Sequence, residues 1–143
     1  MKALARTRLL SWLLPALTAP AVLLGAATPA AAAPSCGIDV YVAQLADEDG
    51  VIVGGYITVT VENERDVPST GWRFTLGFPD DVTTTAYWSS QLTSPDLVGT
   101  VGFKNVAWNG ALPPDGTATA GLTVTVRNGA SPVPRSWACS TTA

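Results

Sequence analysis

Gly71-Trp72-Arg73-Phe74-Thr75-Leu76-Gly77-Phe78 is the stretch that decides the fold class. Large apolar residues take every second position, at Trp72, Phe74, Leu76 and Phe78, with Arg73, Thr75 and Gly77 between them. A period of two puts the apolar set on one side of a half-buried strand. On that reading Trp72 belongs to the core.

The same alternation recurs outward from this stretch. Ile57, Val59 and Val61 alternate with Thr58 and Thr60, and Leu122, Val124 and Val126 with Thr123, Thr125 and Arg127. Ile38, Val40 and Val42 mark a first strand, and weaker strands are expected at 82–88 and 97–104. Turn chemistry separates them: Asp49-Gly50, Gly54-Gly55, Val67-Pro68-Ser69-Thr70-Gly71, Asn109-Gly110 and Pro113-Pro114-Asp115-Gly116. Glycine accepts positive φ there and proline presets φ. No window of the segment shows a helical period. Short Val- and Thr-rich strands at regular spacing predict an all-β, antiparallel sandwich of the immunoglobulin-like or jelly-roll-like kind.

The first residues read differently. Lys2, Arg6 and Arg8 precede an apolar run from Leu9 to Ala27, and small residues follow in Thr28-Pro29-Ala30-Ala31-Ala32-Ala33. That layout is a signal peptide over 1–32, cut after Ala32 in preference to Ala33 because proline follows the latter. The alternative is a membrane anchor, against which stand Pro15, Pro20 and the lack of flanking stop-transfer charges. Residues 33–143 then form a single domain, expected to be secreted, extracellular and monomeric. In an exported chain the two cysteines, Cys36 and Cys139, read as a disulfide, with two free thiols as the alternative.

Composition removes several classes of function. After the signal segment remain five basic residues (Arg65, Arg73, Lys104, Arg127 and Arg135) against all eleven acidic ones, a net charge of −6. Such a domain is a poor partner for nucleic acid or an anionic membrane. There is no histidine, so a Ser-His-Asp triad, a Cys-His pair and a histidine metal site are all impossible. Paired carboxylates for glycoside hydrolysis remain open in principle. Yet Asp47, Glu48 and Asp49, then Glu62, Glu64 and Asp66, then Asp80 and Asp81, fall in apparent turns. The first cluster also offers oxygen ligands for calcium, without a recognisable loop pattern. No metal, cofactor or catalytic residue is expected.

Four tryptophans follow the signal segment. Besides Trp72 there is Trp88, ending Thr85-Ala86-Tyr87-Trp88-Ser89-Ser90, Trp108 in Asn105-Val106-Ala107-Trp108-Asn109-Gly110, and Trp137. Tryptophans of a sandwich are core more often than not. A tryptophan beside an Asn-Gly turn is poorly placed for deep burial, so Trp108 is the strongest candidate for exposure.

In order, these segments resemble the family 2 carbohydrate-binding modules carried by secreted bacterial cellulases, xylanases and chitinases. The matching positions are Cys36, Val59-Thr60-Val61-Glu62-Asn63, Gly71-Trp72-Arg73-Phe74-Thr75-Leu76, Trp88-Ser89-Ser90, Asn105-Val106-Ala107-Trp108-Asn109-Gly110, Pro113-Pro114-Asp115-Gly116 and Cys139. They cover essentially all of 36–139. The resemblance implies a sandwich with an end-to-end disulfide, a core Trp72, and sugar rings stacked on Trp88 and Trp108. Tyr87, Gln91 and Asn109 are the accompanying flanking and polar candidates. The implied function is a non-catalytic, secreted module that binds insoluble polysaccharide: cellulose, or xylan or chitin.

Two departures stand out. The family's third exposed tryptophan, in a W-x-x-G-F segment after the first strand, is absent from Gln44-Leu45-Ala46-Asp47-Glu48-Asp49-Gly50-Val51. Tyr41 and Tyr56 are candidates to replace it, and the sequence offers no positional argument for either. Before the last cysteine stands Pro134-Arg135-Ser136-Trp137-Ala138, from which Trp137 is expected to pack near the disulfide. Each ring contact that buries roughly 80–100 Å² of apolar surface contributes about 2–2.5 kcal/mol. Two contacts alone therefore support a dissociation constant near a millimolar. The rival readings are a secreted interaction or cell-surface sandwich without sugar binding, and an enzyme using paired carboxylates.

Overall fold

Eight strands, in chain order, make up the computed structural model, which describes residues 35–143. The expected signal peptide, 1–32, lies outside the described residues. The strands are β1 Gly37–Ala46, β2 Ile52–Glu62, β3 Gly71–Gly77, β4 Val82–Trp88, β5 Gln91–Leu92, β6 Thr100–Lys104, β7 Thr117–Val126 and β8 Ser136–Thr142. They pair antiparallel into two four-stranded sheets, ordered β1-β2-β7-β4 and β5-β6-β3-β8.

The alternating apolar sets meet between the sheets. Ile57, Val59, Val61, Leu122 and Val124 come from the first sheet, and Trp72, Phe74, Leu76, Val101 and Phe103 from the second. Trp72 stacks on Phe74, which in turn packs against Phe103. This is the expected antiparallel sandwich, with Trp72 in its core.

The disulfide joins Cys36 to Cys139 across 103 residues, linking the start of β1 to β8. Both strands are edge strands of their sheets and lie along the same side of the sandwich. On the opposite side the chain itself crosses from the end of β4 to β5.

Asn63 explains why the Pro113–Gly116 turn sits where it does. Its side chain is fully buried, and its Nδ2 donates to the carbonyls of Val67, Leu112 and Pro113 at 2.9, 3.2 and 3.1 Å. Its backbone N–H donates to Gly116 O at 2.9 Å, and its carbonyl accepts from the Asp115 N–H. One residue at the end of β2 therefore satisfies the polar groups of a turn entering β7.

Several details differ from expectation. β5 and β8 were not foreseen, and the strand placed at 97–104 begins at Thr100. Glu62 ends β2 instead of lying in a turn. The Asp47–Asp49 cluster does close a turn. Asp47 Oδ1 accepts the N–H groups of Asp49 and Val51 at 3.0 and 2.9 Å, so this carboxylate shapes the β1–β2 hairpin. Trp137 pairs with Leu76 on the inner side of β8, two residues from Cys139. The packing expected there is incomplete: β8 is an edge strand and the indole remains 49% exposed.

Candidate functional site

Trp88 reaches the surface because of a bulge. Thr84 pairs with Val124 and Ala86 with Thr123, leaving Thr85 as an extra residue in β4. Val82 and Thr84 face the core before the bulge. Unbroken alternation would carry Ala86 and Trp88 inward as well. The extra residue reverses the phase, so Tyr87 pairs with inward-facing Leu122 and Trp88 with Gly121. Thr85 Oγ1 donates to Thr123 O at 3.2 Å across the bulge.

Gly121 provides the seat for the indole. On β7, Ala118, Ala120, Leu122 and Val124 turn to the core, so Gly121 lies on the outer face of the first sheet. A Cβ at position 121 would collide with Cζ2, Cε2 and Cη2 of the six-membered ring of Trp88. The indole therefore lies flat against bare backbone. It covers Gly121 with one face and presents the other to water, and Trp88 is accordingly 45% exposed. Sequence reasoning missed Gly121. The available signal was an isolated glycine inside a strand, which marks a bulge or a close approach.

Trp108 stands on the turn between β6 and β7 and is 75% exposed. The residue after it holds the turn down. Asn109 is buried: its Nδ2 donates to Ser89 O at 2.8 Å and its Oδ1 accepts the Val106 N–H at 2.9 Å. Its carbonyl accepts the indole N–H of Trp72 at 2.7 Å. Asn105 Oδ1 accepts the Trp72 backbone N–H at 3.0 Å from the start of the same turn. Core Trp72 and its amide partners thus fix the loop that carries Trp108. The Asn109–Ser89 bond ties that loop to the residue following Trp88. Ser89 itself has a φ of 56°, a left-handed conformation that redirects the chain as it leaves β4.

The Asn109–Ser89 bond therefore joins the segments that carry Trp88 and Trp108, while the Tyr87 and Gln91 side chains point elsewhere. The polar atoms of Asn109 point inward, so it acts as a brace for the turn. Tyr87 alternates away from Trp88, and its ring packs against Phe103 at 5.5 Å at the open side of the core while remaining 43% exposed. Gln91 pairs with Lys104, which pairs with Arg73, on the outer face of the second sheet. It is three residues from Trp88 in sequence and on the opposite side of the sandwich.

Known proteins give this arrangement a family. The model of the cellulose-binding domain family, CBM_2, matches residues 48–142. Endoglucanase E-5 of Thermobifida fusca is 32% identical over 107 residues, which are 75% of this chain and 22% of that protein. The chain thus spans about a fifth of the length of that relative. Among solved structures, the cellulose-binding family 2 domain from ScLPMO10C is 26% identical, with a TM-score of 0.55 over 76% of this chain and 98% of that one. The chitin-binding domain of a Pyrococcus furiosus chitinase shares the fold at 20% identity, with a TM-score of 0.55 over 75% of this chain and 93% of its own. The internal xylan-binding domain of Cellulomonas fimi xylanase D does so at 21% identity, with a TM-score of 0.51 over 74% and 97%. With its family model matched across most of the described fold, the chain belongs to the cellulose-binding domain family, the family 2 carbohydrate-binding modules.

Proposed function

We propose that this chain is a secreted, non-catalytic module that holds insoluble polysaccharide, cellulose before xylan or chitin, on Trp88 and Trp108. The observation that carries the reading is the seating of Trp88. An indole laid flat on Gly121, with its other face in water, is the surface that the apolar C–H face of a pyranose needs. Trp108, the most exposed large hydrophobic residue of the described chain, is braced beside it through Asn109 and Ser89. Membership of a cellulose-binding family and the signal-like sequence of residues 1–32 support the extracellular setting. The histidine-free composition supports binding without chemistry.

Binding isotherms on cellulose, chitin and insoluble xylan test the proposal, with Trp88→Ala and Trp108→Ala beside the wild type. Each loses one ring contact worth about 2–2.5 kcal/mol, so affinity should fall about 30- to 60-fold in either variant. Unchanged retention in both would show that the tryptophans serve some other partner.

A further inference from the structure

The outer face of the first sheet continues beyond Trp88. The strand register places Tyr41, Thr58, Gly121 and Trp88 in one row across β1, β2, β7 and β4. The next row holds Ala43, Tyr56, Thr123 and Ala86, and the row on the other side holds Asp39, Thr60 and Thr119. Val40, Val42, Ile57 and Val59 turn to the core, so all these residues face outward. Tyr41 is 66% exposed and Tyr56 is 51% exposed. The two tyrosines are diagonal neighbours on adjacent strands, about 7–8 Å apart. Tyr41 and Trp88 stand at opposite edges of the sheet, about 14 Å apart across three strand spacings.

The chemistry of this face is narrow. Three aromatic rings are set among threonines and alanines, and Asp39 at the margin is the one charge in the three rows. The outer face of the second sheet is different: Arg73, Lys104 and Gln91 lie side by side there, and none of its outward strand positions is aromatic. A neutral polyol has apolar ring faces and hydroxyl edges and carries no charge. Rings that cover C–H faces and threonine hydroxyls that meet sugar hydroxyls are its complement. A charged or strongly apolar partner finds little to match on such a surface.

We propose that Tyr41 and Tyr56 extend the Trp88 platform across the whole first sheet, so that one broad face, charged only at Asp39 on its margin, grips the surface of an insoluble polysaccharide. The inference rests on the polysaccharide reading of Trp88 above and adds its span and its remaining ring contacts. A platform wider than the tryptophan region favours a surface over a short soluble chain. The tyrosines therefore contribute most on insoluble material.

The test uses Tyr41→Thr and Tyr56→Thr, singly and together. Threonine already occupies the neighbouring outward positions and keeps the strand preference of the site. A Tyr41→Phe/Tyr56→Phe variant retains the rings. Isotherms on microcrystalline cellulose, chitin and insoluble xylan should show about a fivefold loss for each threonine variant, the ratio for roughly 40 Å² of apolar contact. The phenylalanine variant should bind like the wild type, and melting temperatures should stay near the wild-type value throughout. Wild-type retention by the double threonine variant, with Trp88→Ala released, would overturn the extended platform and leave the tryptophan reading standing. Retention unaffected by any tyrosine or tryptophan variant would overturn both. Loss of binding in the phenylalanine variant would overturn ring stacking by the tyrosines. Concentration-dependent self-association in sedimentation, abolished by the double threonine variant, would assign the face to a second copy and overturn the proposal.

Discussion

At the scale of single residues, the site depends on an atom that is missing. Glycine inside a strand usually costs about 0.5–1 kcal/mol relative to alanine. Gly121→Ala would therefore ordinarily stabilise β7. Here the added methyl would occupy the space of the Trp88 indole, and its neighbours are a paired strand that cannot retreat. The ring must lift or rotate off the sheet. We expect Gly121→Ala to lower polysaccharide affinity toward that of Trp88→Ala, about 30- to 60-fold. A double-mutant cycle checks the mechanism. Adding Gly121→Ala to Trp88→Ala should cost no further affinity, because the two substitutions remove the same contact. Additive losses would mean that Gly121 acts on binding independently of the indole.

At the scale of elements, legibility followed the physics of each strand. β2, β3 and β7 each place three or more apolar side chains in the core at a period of two, and that pattern is visible without a structure. β8 was not legible, because its inward positions are Trp137, Cys139 and Thr141 at a sheet edge. β5, two residues long, is held by its partner β6 and carries no pattern of its own. The candidate site was half legible. Trp88 and Trp108 stood out by residue type and neighbours, and the turn beside Trp108 by Asn-Gly. Which face Trp88 takes was hidden, because the bulge at Thr85 leaves no local mark in a run of threonines. The crossing between sheets likewise separates Gln91 from Trp88 despite their closeness in sequence. The bulge makes a direct prediction. Deleting Thr85 removes the extra residue and leaves regular pairing, with Ala86, Tyr87 and Trp88 still opposite Thr123, Leu122 and Gly121, so Trp88 stays on the outer face. The deletion should leave the melting temperature near the wild-type value and keep retention on polysaccharide. Circular dichroism melts and pull-down measure the two effects. Loss of retention by the folded deletion variant would show that the phase of β4 does not by itself aim the indole.

At the scale of the molecule, the disulfide and the proposed tryptophan contacts lie on opposite sides of the sandwich. The disulfide secures the β1 and β8 side, whereas Trp88 ends β4 on the far side, where the braced turn of Trp108 meets Ser89. A bridge closing 103 residues acts mainly by restricting the unfolded chain, and loops of that size gain up to about 4.7 kcal/mol in the chain-entropy model. Its effect on the folded geometry of the platform should be small, since β1 remains paired to β2 along ten residues from Gly37 to Ala46. Reduction, or the Cys36→Ser/Cys139→Ser variant, should therefore cost about 3–5 kcal/mol and lower the melting temperature by roughly 12–25 °C. The remaining stability of a domain that starts at about 5–15 kcal/mol leaves much of the protein folded at 25 °C. Polysaccharide affinity of that folded fraction should match the oxidised protein, including the part carried by Tyr41 on β1. Thermal melts with and without reductant, paired with isotherms at 25 °C, separate the two quantities. If affinity dropped while the near-ultraviolet circular dichroism signal persisted, the disulfide would be shaping the platform itself, and the division between the two sides would fail.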